Sequence, residues 1–243
     1  QEYFSDGMTE ELIACLAQVR ALRIISRTSV MRYKGQRKAI PDIARELNVD
    51  AVVEGSVRRA GERVRITVQL IDASSERHLW GKSYERDMKE VLALQGQVAG
   101  AIVDEIQVSV TPQEETRLRD PRAVNPEAYE AYLKGRYLIE RRTEGTLQEG
   151  LACLGQAARL DPSLELAHAG VADAYNLMGF WTAVPPREAF PHARASAQQA
   201  LTINPASAEA LTSLAYGTFW HYWNFAESER LYRRSIDLNP KYS

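Results

Sequence analysis

Three times in its second half the chain closes a helix-patterned run on the same punctuation: Leu160-Asp161-Pro162, Ile203-Asn204-Pro205 and Leu238-Asn239-Pro240. Proline cannot continue a helix, so each triplet marks an end. The closing prolines stand 43 and then 35 residues apart, and Asn125-Pro126 opens the series. Both intervals lie near the roughly 34-residue period of a helix-turn-helix repeat. A unit of this kind cannot bury its apolar face alone, so the spacing commits about half of the chain to an array whose usual work is holding partners.

Side-chain size supports the same reading. In the last unit Ser228, Tyr232, Ser235 and Leu238 recur at helical spacing, so small and large residues share one face of a helix from Phe225 to Leu238. Small residues let two backbones approach, and large ones fill what remains. The middle unit carries Val171, Ala172 and Tyr175 on its first helix and Ala193, Ala197 and Ala200 on its second; the stretch Phe180 to Glu188, with Pro185 and Pro186, supplies its extra length. In the first unit Leu133 and Tyr137 face Gly150, Leu154 and Ala157. These units resemble tetratricopeptide repeats. The family's small residue, aromatic, alanine and proline fall on Ser228, Tyr232, Ser235 and Pro240, on Ala193, Ala197, Ala200 and Pro205, and on Gly150, Leu154, Ala157 and Pro162, whereas its leading tryptophan and central glycine are mostly missing. The resemblance implies an all-α solenoid over 126–243, with repeats at 126–162, 163–205 and 206–240. Lys241-Tyr242-Ser243 bring no capping helix, so the array is expected to be truncated and to continue in a longer chain. The alternative is a last face that meets another chain.

Residues 1–110 alternate helical with strand periods. Met8, Leu12, Leu16 and Val19 form an apolar stripe with Asp6 as its expected cap, Leu22 to Ile25 reads as a short strand, and Pro41 opens a short helix carrying Ile43 and Leu47. From Asp50 to Asp72 the alternation is strict: Val53, Gly55 and Val57, then Val64, Ile66, Val68 and Leu70 after an Ala60-Gly61-Glu62 turn. One apolar and one wet face predict an antiparallel hairpin covered on a single side, with a further strand from His78 to Tyr84. Asp87 and Glu90 stand as a capping box before Leu94, Val98, Ile102 and Ile106, whose helix is the natural cover. The expected fold is therefore an α+β domain at 1–110, a partly helical connector at 111–125 starting on Thr111-Pro112, and the helical array.

The order of these motifs resembles the N-terminal domain of the Tol-Pal component TolB and its relatives in flagellar outer-membrane and regulator proteins. The resemblance is carried by Tyr3 to Leu12, Arg27-Thr28-Ser29, Tyr33-Lys34-Gly35, Glu46 to Asp50, Glu54 to Arg58, Arg63 to Ile66, Gln69 to Asp72, His78-Leu79-Trp80 and Leu94-Gln95. It implies the sensory or scaffolding half of a larger bacterial protein, whose output domain is a class III adenylate cyclase, a winged-helix DNA-binding domain or a protein kinase. That family opens on one more apolar strand, absent before Gln1, so the sheet is expected to lack its first strand, either because the sequence begins inside the domain or because that strand is supplied otherwise.

A net charge of -2 gives no global electrostatic case for nucleic acid, and no apolar run approaches the length of a membrane span. His78, His168, His192 and His221 show no metal-ligand spacing; no glycine-flanked serine elbow or phosphate-cradling loop occurs. Neither cofactor, metal nor catalytic group is expected. Cys15 and Cys153 read as buried thiols in different domains, and the compartment, cytoplasmic or periplasmic, stays open.

Three surfaces are candidate binding sites. Phe180, Trp181, Arg187 and Tyr222 are expected to grip a protein or peptide, with Phe219 and Trp223 expected in the core. Arg27, Arg32, Lys34, Arg37 and Lys38 lie in an acid-free stretch and could meet an acidic partner or remain a solvated rim. His78, Trp80 and Tyr84 would line an interdomain cleft if the chain is instead a small-ligand receptor. The favoured expectation is a noncatalytic sensory and scaffolding region that docks a protein, its own output domain or a second copy.

Overall fold

The computed structural model describes residues 2–118, 123–181 and 183–240. Residues from Met8 to Ala123 form one compact unit, and those up to Gly7 together with those from Val124 onward form the other. Helix α1 (Glu2–Ala17) thus gives its first six residues to the helical unit and the rest to the α+β unit. Asp6 lies within α1 and is buried, so it is not the cap that its sequence position proposed.

In the α+β unit, α2 (Arg27–Met31) and α3 (Ile40–Leu47) precede three antiparallel strands in the order β1 (Ala51–Ala60), β2 (Arg63–Asp72) and β3 (His78–Asp87). β1 and β2 pair without a slip from Ala51↔Asp72 to Ala60↔Arg63, which leaves Gly61-Glu62 as a two-residue turn. Gly61 takes the positive φ that this turn needs. The register sets Val53, Gly55 and Val57 opposite Leu70, Val68 and Ile66, so the alternation seen in the sequence becomes one apolar face. On β2 that face is buried, each of Val64, Ile66, Val68 and Leu70 contributing about 1.5–3 kcal/mol. Val53, on the edge strand, stays exposed.

Helix α4 (Val91–Ile106) covers β2 and β3, burying Val91, Leu94, Val98 and Ile102. The expected capping box does not form. Asp87 makes no side-chain cap bond; Met88 is fully buried and its amide donates to the Glu62 carbonyl at 2.6 Å, which draws Met88–Glu90 into a 3-10 turn before α4 begins. Leu22 to Ile25 is likewise not a strand. Four residues are too few to hold extended pairing without a neighbour, and here Arg23 donates instead to the Leu47 and Asn48 carbonyls at the end of α3. Helix α5 (Pro112–Leu118) starts on Thr111, whose hydroxyl accepts the Glu114 amide, and the buried Glu114 carboxylate accepts the Arg20 amide at 2.9 Å.

The β2–β3 turn is organised by one carboxylate. Asp72 accepts from the amides and hydroxyls of Ser74 and Ser75, and these bonds, Ser75's hydroxyl first, hold its carboxyl at about 2. A depressed folded value means that the turn's contribution is complete above the ordinary carboxylate range and is lost as pH falls through about 2. Carbon-detected NMR titration is expected to place the Asp72 midpoint well below those of other exposed aspartates; an ordinary midpoint would dismiss this turn.

The helical unit is three helix pairs: α6 (Pro126–Ile139) with α7 (Glu144–Leu160), α8 (Glu165–Phe180) with α9 (Pro186–Ile203), and α10 (Ala208–Trp220) with α11 (Phe225–Leu238). Each first helix also touches the helix before it, α8 against α7 and α10 against α9, and α8 contacts both α6 and α10, so the pairs stack in series. Small residues set the spacing. A Cβ on Gly150 would lie 2.5 Å from Ile139 Cγ2 and 3.1 Å from the Gly135 carbonyl, while one on Gly135 would lie 2.5 Å from Leu154 Cγ. Gly135 against Leu154 and Ile139 against Gly150 is the pattern of an antiparallel crossing. In the last pair Ser228 and Ser235 take this role, their hydroxyls donating to the Ala215 and Ala208 carbonyls of α10.

The recurrent triplets have a local cause. Asp161 Oδ1 accepts the amide and hydroxyl of Ser163, and Asn204 Oδ1 accepts the Ala206 amide, so each polar residue before proline folds the chain into the next helix. Asn125 caps α6 through the Glu127 and Ala128 amides, and its own amide groups reach Leu160 and Asp161 at the far end of α7. Asn125→Ala should lower the stability of the helical unit by about 1–2 kcal/mol in urea unfolding. A change near zero would mean that the cap is solvated at no loss.

Candidate functional site

The first helices carry a polar strip across the three pairs. Arg136 on α6 donates to Asp173 on α8 at 2.7 Å, Ser213 on α10 donates to the other oxygen of Asp173, and Asn176 donates to the Ser213 carbonyl at 2.8 Å. Arg136 and Asp173 are mostly buried, so this strip registers the pairs against each other. Nearby, burial pushes the Glu209 carboxyl upward.

At the ends of α8 and α10 the surface changes character. Trp181, Phe180, Trp220, Phe219, Phe225 and Trp223 form a continuous chain of ring contacts, with successive centroids 5.1–6.0 Å apart and mostly edge-to-face. All six are exposed, by 38–69%. The sequence placed Phe180 and Trp181 on a binding surface, but expected Phe219 and Trp223 in the core; both are exposed, and Trp223 sits at a left-handed backbone position where the chain turns from α10 to α11. The sequence groups Trp220 with the candidate aromatic cluster without giving it a role, and Phe225 reads there only as the start of the last helix. The signal available was position: both aromatic groups close the first helix of consecutive units, so stacking the units brings them to one edge.

Tyr222 lies beside this chain of rings without belonging to it. The Arg194 guanidinium sits 5.0 Å over its ring, and His221 separates it from buried Phe190, against which the imidazole stacks at 5.0 Å. Arg187 is exposed, 3.8 Å from Glu188. The other two histidines of the array are used in packing: His192 stacks on Tyr175, and His168 Nε2 lies 3.1 Å from the Pro162 carbonyl.

Two residues of the basic stretch, Arg27 and Lys38, are paired with acids that precede or follow it. Arg27 lies 3.6 Å from Glu10, Lys38 donates to Glu46 at 2.5 Å, and Arg32 stacks over Tyr33, whose hydroxyl also donates to Glu46. Lys38 first and Tyr33 second hold the Glu46 carboxyl below its ordinary value. Lys34 and Arg37 are exposed.

On β3, Trp80 and Tyr84 come together with centroids 6.4 Å apart, and Lys82 lies 5.3 Å over the Tyr84 ring. Burial raises the Tyr84 hydroxyl. His78 is exposed, and the pairing slips between Leu70 and Ile71, so Leu79 has no partner on β2. Cys15 and Cys153 are half-buried rather than buried, and burial raises the Cys153 thiol. Among the described residues no group of three or more His, Cys, Asp or Glu stands together as metal ligands, and no helix is long and apolar enough to cross a membrane.

No family profile matches the chain. It is similar to the protein named "Putative adenylate cyclase 3" of Rhizobium meliloti (strain 1021), with 33% identity over 222 residues, covering 90% of this chain and 38% of that relative. The chain therefore spans well under half of the relative's length. Among solved structures it is similar to the first TPR of Spaghetti (RPAP3) bound to the HSP90 peptide SRMEEVD, with TM-score 0.40 and 20% identity over 49% of this chain and 85% of that one. The first TPR domain of human RPAP3 gives TM-score 0.40 and 19% identity over 48% and 81%. The chain itself is a small three-stranded α+β unit followed by helix pairs stacked in series.

Proposed function

We propose that this chain is the noncatalytic, protein-docking region of a bacterial signalling protein, with a nucleotide-cyclising or gene-regulating output in a separate part of that protein. The observation that carries the reading is the continuous row of exposed aromatic rings on a stacked array. Large rings of this kind dominate interface energetics, and a monomer gains nothing from keeping them in water. The relative supports the choice of output: its name is that of an adenylate cyclase, and 38% of its length accounts for the whole match. The α+β unit serves as the sensing or anchoring module, a role supported by its TolB-like motif order and its one-sided sheet.

Two measurements test this. Purified chain supplied with ATP and Mg2+ or Mn2+ should form no cyclic nucleotide, and saturable turnover would sink the noncatalytic assignment. In the full-length protein, replacing Trp181 and Trp220 by serine should change output activity several-fold while leaving the melting temperature of this region nearly unmoved. Unaltered output would dismiss the aromatic row as a regulatory contact.

A further inference from the structure

We propose that the occupant of the aromatic row is the same row on a second copy of this chain, related by a two-fold axis. The inference rests on the docking-surface reading above and adds the partner's identity. Together the six rings expose the equivalent of three whole aromatic residues. At roughly 150–250 Å² each this is about 450–750 Å² of contiguous apolar surface. It reaches or exceeds the largest patch of a typical monomer, about 300–600 Å², and approaches the roughly 800 Å² that each partner brings to a standard interface.

Charge selects among possible occupants. The row itself is six uncharged rings, and the residues that neighbour it in sequence carry both signs: Arg187 beside Glu188, and Arg230 bound to Glu227 through two bonds of 2.7 and 2.8 Å, with Arg194 over the adjacent Tyr222. A strongly basic or acidic peptide would need flanks of one sign, and an anionic membrane surface would need an excess of Lys and Arg. Mixed flanks around a neutral centre suit a surface that must complement itself, as a two-fold interface requires. Edge-to-face ring chains also leave edges and faces open to rings from a partner.

Sedimentation velocity on the purified chain over a range of roughly 1–200 μM should show a monomer–dimer equilibrium. The variant carrying Trp181→Ser, Trp223→Ser and Phe225→Ser changes the most exposed rings, so it should keep its helical circular dichroism and melting temperature. Its dimer dissociation constant should rise by roughly 30-fold or more. A wild type that stays monomeric throughout overturns the proposal, and so does a dimer that the three substitutions leave intact. If the fold of the triple variant suffers, Trp223→Ser alone should still weaken the dimer several-fold, and indifference to it is equally contrary. Either failure removes the second copy while the effect of these rings on output, measured separately in the full-length protein, still decides the docking reading.

Discussion

Gly150→Val is expected to disrupt the first helix pair and lower the stability of the helical unit by about 3 kcal/mol or more. The neighbours that a new Cβ would strike are Ile139 Cγ2 at 2.5 Å, the Gly135 carbonyl at 3.1 Å and the Ile139 amide at 3.2 Å. Two of these are backbone and cannot swing aside, so the helices must separate, which uncovers Leu154 and Ala157. Urea unfolding followed by far-ultraviolet circular dichroism reads the loss. Gly150→Ala should do less harm, and adding Ile139→Ala should recover part of it, because the methyl in closest conflict is then gone. An unmoved midpoint for the valine variant would mean that α6 and α7 do not cross at this glycine.

Leu154→Ala should cost about 2–5 kcal/mol, the range for a buried leucine whose cavity cannot collapse. Leu154 is fully buried, and its side chain lies where a Cβ on Gly135 of α6 or on Gly170 of α8 would be, at 2.5 and 2.7 Å. One α7 side chain therefore fits between first helices of two successive units. Its removal loosens the pairing within the first unit and the stacking onto the second together. Thermal unfolding should show the transition of the helical unit moved down as a whole, whereas a loss confined to α6 and α7 would show that the units are not coupled through this residue.

Much of this architecture is legible in the residues themselves. Val64, Ile66, Val68 and Leu70 alternate because one face of β2 meets α4, and the register follows from the two-residue turn at Gly61-Glu62. The helix pairs are readable because a close crossing admits only glycine, alanine or serine, and those residues recur at fixed distance from Asp-Pro and Asn-Pro. What was not legible depended on tertiary neighbours. Leu22 to Ile25 has strand composition but no strand to pair with, and Asp87 lost its capping role to the burial of Met88. The candidate surface was half visible: an aromatic residue at a helix end reads as core or contact with equal ease, and only the stacking of α8 on α10 shows that Phe180 and Trp220 meet and that no element lies over them among the described residues. The basic stretch from Arg27 to Lys38 reads in the sequence as a contact for an acidic partner or as a solvated rim, and the pairing of Arg27 with Glu10 and of Lys38 with Glu46 shows where two of its charges are countered.

Amide hydrogen exchange on the full-length protein, compared with the dilute isolated chain, bears most directly on whether this array is a docking platform. Amides from Gly179 to Trp181 and from Gly217 to Phe225 should be slowed in the assembled protein, while those of β1 to β3 exchange alike in both. Equal exchange at the ends of α8 and α10 in the two samples would mean that the rings stay in water and that nothing docks there.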